Sequence, residues 1–192
     1  EYLKDCSFNS VFAWHKKFFQ MLELSGRPKR WLLKDPSHIG HIPEILSTYP
    51  NAKFINIHRD PKESIASFCS LAKNIRSAFS KNVNPKEIGD VILDFWQHNL
   101  NKGIDAKKKL SEDQIIDISY SDFINDPLVT IKNVYIRLGL DIDIQTENRM
   151  KKYLLGQNEI KKQKHIYSLE DFGLNEEKIN FHLENYIMNN NF

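Results

Sequence analysis

Cysteine is scarce in this chain: Cys6 and Cys69 are the only two, and Cys69 falls inside a stretch with helical spacing. A disulfide framework is not expected, both cysteines read as packing residues, and a reducing, cytoplasmic setting follows. Long apolar runs are missing too, none approaching the roughly 20 residues that cross a bilayer, and no secretory leader precedes the first helical stretch. No membrane segment is expected. Charge of one sign is also lacking, with 27 Lys and Arg against 25 Asp and Glu and a formal charge of +2. That balance argues against a general nucleic-acid or membrane-surface protein, so an anion site has to be local. The chain carries no Gly-rich Walker-type loop, no dinucleotide fingerprint, no Gly-x-Ser-x-Gly elbow and no Cys/His set at metal spacing. His38 and His41 stand three apart without a supporting thiol or carboxylate pattern, so no metal is expected. A kinase-like phosphotransferase would need a Lys-bearing Gly-rich loop and a magnesium carboxylate, and neither is visible.

What is present is ordinary globular material. The 192 residues are 41% hydrophobic and 27% charged, which suits one domain, residues 1–192, with a real core. The stretch from Asn51 to Leu71 organises the rest. Phe54, Ile55 and Ile57 follow the turn signal Tyr49-Pro50-Asn51 as a short β-branched strand, and Pro61 then stands where a first helical turn accepts it. Asp60 is placed to cap that helix, and Arg59 stands at the turn. Ser67 lies eight residues after Arg59, about two helical turns on. A planar guanidinium at a strand's carboxyl end, with a hydroxyl on the adjoining helix, makes a phosphate clamp; a surface Arg-Asp pair with a packing Ser is the alternative.

Around this centre the chain alternates helix and strand. Residues 10–24 carry Val11, Trp14, Phe18, Met21 and Leu22 at helical spacing, with Trp14 and Phe18 expected in the core and His15 facing solvent. Arg30-Trp31-Leu32-Leu33 reads as a strand that opens onto Lys34-Asp35-Pro36-Ser37-His38, followed by a helix through Ile39, Ile42, Ile45 and Leu46. Strand, helix and central strand form a βαβ unit, which places Lys34, His38, Arg59 and Asp60 at one rim of a parallel sheet. Taken singly, Lys34 also suits a solvated cation and His38 a helix cap. Helices follow at about 64–79 and 86–110, then a strand at Ile115, Ile116 and Ile118 that ends at Tyr120, a ring able to face a base. Helices at about 128–138 and 147–155 precede a basic stretch holding Lys161, Lys162, Lys164 and His165, which suits either a lid over an anion or a solvated loop. A last helix is capped by Asn175.

Four stretches, in this order, resemble the sulfotransferases that use 3′-phosphoadenosine 5′-phosphosulfate, particularly their bacterial branch. They are Arg30-Trp31-Leu32-Leu33-Lys34-Asp35-Pro36-Ser37-His38; Tyr49-Pro50-Asn51-Ala52-Lys53-Phe54 through His58-Arg59-Asp60-Pro61 to Ser67; Tyr120-Ser121-Asp122-Phe123 with Asp126-Pro127; and Lys164-His165-Ile166-Tyr167-Ser168-Leu169-Glu170-Asp171-Phe172-Gly173. The resemblance implies an α/β fold, a three-layer parallel sheet flanked by helices and related to nucleotide kinases. It implies that Arg59 and Ser67 bind the donor's 3′-phosphate, that Tyr120 lies against the adenine, and that Lys164 and His165 complete the phosphate site. Lys34 matches the lysine that assists the leaving phosphate. The cytosolic branch has a catalytic histidine two residues after that lysine, where this chain has Pro36. His38 is therefore the candidate base, a neutral imidazole able to take a hydroxyl proton. The family's Arg-Lys-Gly triplet is not present, and its opening strand with a Gly-Thr-Thr type loop is not found before Tyr2, so an N-terminally truncated family domain is expected. The implied activity is sulfuryl transfer from that donor, as co-substrate and without a metal, to a hydroxyl or amine. The acceptor is a small molecule, carbohydrate or peptide rather than nucleic acid. A non-catalytic module that binds the 3′,5′-bisphosphate is the competing reading.

Overall fold

The computed structural model describes residues 6–26, 30–159 and 167–190. Two helices come first, α1 (Asn9–Leu22) and α2 (Ile42–Thr48), with a 3-10 turn at Pro36–His41 between them. Strand β1 (Phe54–His58) leads into α3 (Pro61–Phe79) and the long α4 (Pro85–Lys107), and β2 (Ile115–Ser119) follows. The remainder is helical: α5 (Tyr120–Asn125), α6 (Pro127–Leu138), α7 (Ile144–Glu159), α8 (Glu176–His182) and α9 (Glu184–Asn190), with a 3-10 turn at Glu170–Phe172 before α8.

The helix boundaries have local causes. Asp60 accepts a hydrogen bond from the Lys62 backbone N–H at 2.8 Å, and Pro61 occupies the first turn of α3. Asp126 does the same for Val129 at 3.1 Å with Pro127 opening α6, and Gly139 ends that helix at φ +67°. Asn175 caps α8 by accepting from the Lys178 N–H at 2.8 Å.

Packing divides the chain into two compact units, Glu1–Ala52 with Phe95–Leu110, and Lys53–Asp94 with Ser111–Phe192. In the first unit α1 packs on α2, His15 Nδ1 lying 2.8 Å from the Tyr49 hydroxyl. Phe12, Ile42 and Ile45 are buried, and Gly40 is pressed against Asn99 so closely that a Cβ there would overlap the amide oxygen.

In the second unit β1 and β2 pair in parallel, Phe54 opposite Ile115 and His58 opposite Ser119. Parallel pairing needs a crossover connection, and the residues between the strands supply helices for it. Behind β2, Ile116 and Ile118 pack with Val134 of α6, and Phe123 and Leu138 close the cluster. This is the α/β arrangement expected from the sequence. Gly89 of α4 sits against the Phe172 carbonyl, where no side chain fits.

Three expectations fail. Arg30–Leu33 makes no strand, since β1 pairs only with β2 among the described residues. Trp14 and Phe18 are not core residues: they are 70% and 56% exposed, because α1 buries the face centred on Phe12, roughly 120–160° around the helix from them. His15, expected in solvent, is half-buried instead, its ring edge-on to Phe19 at 4.5 Å.

Candidate functional site

Arg59 follows β1 directly and Tyr120 follows β2 directly, so the parallel register brings both to the carboxyl ends of neighbouring strands. In open α/β sheets this is the rim where ligands bind. The Arg59 guanidinium stands over the Tyr120 ring, its Cζ 4.7 Å from the centroid. Two of its donors, Nε and Nη2, reach Glu63 Oε2 at 3.1 and 2.8 Å from one turn into α3. Partial burial works against the charged guanidinium, but Glu63, Tyr120 and Tyr167 outweigh it and raise the Arg59 pKa above its ordinary value. Arg59 is thus a fixed cation stacked on an aromatic face.

Ser67 lies in the second turn of α3 and is half-buried. Among the described residues no hydrogen bond joins it to Arg59. Glu63 and Tyr167 were not singled out from the sequence as partners of Arg59. The first carried a readable signal, an acid four residues after the arginine at helical spacing. Tyr167 stands in a motif stretch but had no local sign of reaching Arg59.

In the first unit, Lys34, Asp35 and His38 share one turn. Asp35 Oδ1 accepts from the Ser37 backbone N–H at 2.7 Å and from its hydroxyl at 2.5 Å, and the His38 N–H donates to the Asp35 carbonyl at 3.3 Å. Asp35 thereby caps the turn that presents His38, so His38 is not itself the cap. Burial pushes the Asp35 carboxyl upward, yet the Ser37 hydrogen bonds, His38 and Lys34 prevail and hold it below the usual range. Lys34 is exposed, and the half-buried His38 ring lies 6.2 Å from Phe12. Lys34 and His38 therefore stand together within one unit, and Arg59, Ser67 and Tyr120 within the other. Lys164 and His165 lie outside the described residues. No group of three or more His, Cys, Asp or Glu among the described residues could hold a metal ion.

A sequence model of the sulfotransferase family matches residues 3–144. This chain belongs to the sulfotransferase family. Its curated relatives include the omega-hydroxy-beta-dihydromenaquinone-9 sulfotransferase Stf3 of Mycobacterium bovis (strain ATCC BAA-935 / AF2122/97) and of Mycobacterium tuberculosis (strain CDC 1551 / Oshkosh). Each is 26% identical over 130 residues, covering 66% of this chain and 34% of the relative. Among solved structures, sulfotransferase STF9 from Mycobacterium avium superposes with a TM-score of 0.86 at 24% identity, and sulfotransferase STF1 from Mycobacterium tuberculosis H37Rv with 0.82 at 28%. Both alignments cover 96% of this chain and 47% of the other. The sulfotransferase α/β fold expected from the motifs is thus the fold observed, and the chain spans about half the length of these solved relatives and about a third of the curated ones. Among the described residues, no helix is long and apolar enough to cross a membrane.

Proposed function

We propose that this chain serves in sulfuryl transfer from 3′-phosphoadenosine 5′-phosphosulfate to a hydroxyl or amine of a small-molecule acceptor. One observation carries the reading: a cationic arginine stacked on a tyrosine at the carboxyl ends of two parallel strands, in a chain of the sulfotransferase family. The Arg59 fork suits the donor's 3′-phosphate, because a guanidinium meets phosphate oxygens through two parallel hydrogen bonds. Ser67 adds a hydroxyl to that phosphate, Tyr120 offers a ring to the adenine, and Lys164 and His165 add positive charge.

The reaction asks little of the protein beyond alignment and charge stabilisation. The acceptor oxygen forms a new bond to sulfur as the sulfur's bond to the 5′-phosphate oxygen breaks, and adenosine 3′,5′-bisphosphate departs with the extra negative charge. Lys34 stabilises that charge. His38 takes the proton from the acceptor hydroxyl, a transfer suited to imidazole near neutral pH. No metal is assigned a part. The relatives' name supports a hydroxyl on a small molecule, there an omega-hydroxy dihydromenaquinone, as the acceptor class. A cytoplasmic setting accords with a chain of only two cysteines, of which Cys69 is buried with its thiol pushed up to about 11.

Calorimetric titration with adenosine 3′,5′-bisphosphate and with adenosine 5′-monophosphate tests the donor site. A clear preference for the bisphosphate is expected, with Arg59→Ala weakening its binding by about 1.5–3 kcal/mol. Unchanged affinity in that variant refutes the clamp. Binding with that preference but no transfer to any acceptor, in the longest natural form of the protein, would support a non-catalytic module.

A further inference from the structure

β1 ends in His58, and both nitrogens of its ring are engaged. Nε2 lies 2.7 Å from Asp117 Oδ1 on β2, a diagonal contact, since the register sets Asp117 opposite Asn56 and Ser119 opposite His58. Nδ1 lies 3.2 Å from the hydroxyl of Tyr186 in α9, 128 residues away along the chain. The His58 side chain is only 11% exposed. The backbone N–H of Arg59 donates towards the same Tyr186 oxygen. Asn56 Nδ2 also donates to Asp117 Oδ1, at 3.3 Å, and lies 3.1 Å from His58 Nε2.

Counting donors and acceptors gives this set a direction. A carboxylate oxygen 2.7 Å from Nε2 calls for the ring proton there, so Nδ1 accepts from the Tyr186 hydroxyl, whose oxygen in turn accepts from the Arg59 N–H. An accepting Nδ1 leaves the imidazole proton on Nε2. There Asp117, an acceptor when ionised, receives it, and the same carboxylate oxygen also serves Asn56. Burial pushes the Tyr186 phenol up to about 12, which keeps the hydroxyl hydrogen that the chain of bonds requires. Every group between the Arg59 main chain and the Asp117 carboxylate is satisfied in one polarity, the condition under which a buried polar network rigidifies its surroundings.

We propose that Tyr186, His58 and Asp117 are positioning residues for Arg59, holding the main chain of the β1–α3 turn so that the guanidinium faces a 3′-phosphate. The proposal rests on the donor reading given above and extends it: α9, outside every motif that marks the family in this sequence, belongs to the nucleotide site. Tyr120 stacks on the guanidinium, while Tyr186 fixes the backbone that carries it. The two kinds of support act on different bonds and separate by substitution.

The test compares affinities of the 192-residue chain for adenosine 3′,5′-bisphosphate and adenosine 5′-monophosphate, with Arg59→Ala as the reference. Tyr186→Phe keeps the ring and removes only the relaying oxygen. It is expected to lower bisphosphate affinity by roughly three- to tenfold, the scale of one hydrogen bond, while leaving the monophosphate unchanged. General loosening of the fold would weaken both nucleotides alike, and that result overturns the proposal. If Arg59→Ala abolishes the preference and Tyr186→Phe leaves it intact, positioning is refuted while the donor reading stands. If Arg59→Ala itself changes nothing, the donor reading falls and takes the positioning role with it. Nitrogen-15 chemical shifts of His58 in the unaltered chain give a readout independent of nucleotide and of variant folding. A neutral ring protonated at Nε2 is expected, and protonation at Nδ1 overturns the chain of bonds.

Discussion

At the scale of single residues, Arg59 is already occupied. Both donors that face Glu63 converge on one carboxylate oxygen, so a phosphate arriving at the fork competes with an intrahelical acid. An exposed pair of this kind contributes little to stability, about 0–1 kcal/mol. Its removal should be felt in binding instead. Glu63→Gln takes away the competing charge and is expected to tighten adenosine 3′,5′-bisphosphate binding by roughly two- to fivefold, with thermal stability nearly unchanged. Weaker binding in that variant would show that Glu63 orients the fork rather than blocking it. Arg59→Lys keeps the charge but loses both the planar fork and the stacking on Tyr120, so it should recover only a minor part of the affinity lost in Arg59→Ala, measured by the same titration. Arg59 and Tyr120 were legible in the sequence because each ends a β-branched run, and parallel strands place their ends side by side. Tyr186 was not, since a contact across 128 residues leaves no local pattern.

At the scale of elements, helices were the most legible. Asp60, Asp126 and Asn175 each precede the helix they cap, and Gly139 marks the end of α6, because a cap is a local bond between neighbours in sequence. The errors arose where periodicity had to stand in for partners. Trp31-Leu32-Leu33 is apolar enough for a strand, but pairing depends on a neighbour that composition does not reveal. In α1 the apolar spacing is real, yet it wraps more of the helix than one packed face can cover, so Trp14 and Phe18 were assigned to the wrong side. Packing between elements can be probed at Gly89, which its neighbours in α4 would allow to be Ala on helix propensity alone. Propensity favours Gly89→Ala by up to about 1 kcal/mol, whereas the new methyl group would overlap the Phe172 carbonyl, a backbone atom that cannot swing aside. Overpacking should prevail, for a net loss of about 1–3 kcal/mol read from the urea midpoint. A stabilised variant would mean that α4 and the Glu170–Phe172 turn separate readily.

At the scale of the whole molecule, the protonation of folded and unfolded chains sets the pH range of stability. In the first unit, burial lowers the pKa of His41, and Lys102 lowers it further against an opposing pull from Glu44, whose Oε1 is 3.9 Å from Nδ1. Burial, then the nearby His38, lowers that of His15. Both folded values lie below the ordinary histidine value of 6.5. As pH falls through that value the unfolded chain takes up protons before the folded one does, and stability declines with it. Above it both states are neutral at these rings, and the contribution is flat. The carboxylates held low by hydrogen bonds and nearby cations, Asp35, Asp105, Asp113, Asp143 and Glu147, act the same way at lower pH, starting near their unfolded values around 4. Between about pH 6.5 and pH 5 the histidines therefore dominate these shifts. Urea midpoints should hold steady from pH 8 to 7 and drop from pH 6.5 to 5.5, with His41→Gln flattening the drop by removing one of the two rings. A midpoint constant across that interval would contradict the lowered values. His38, the candidate base, stands beside both rings in electrostatic terms, and its protonation opposes theirs.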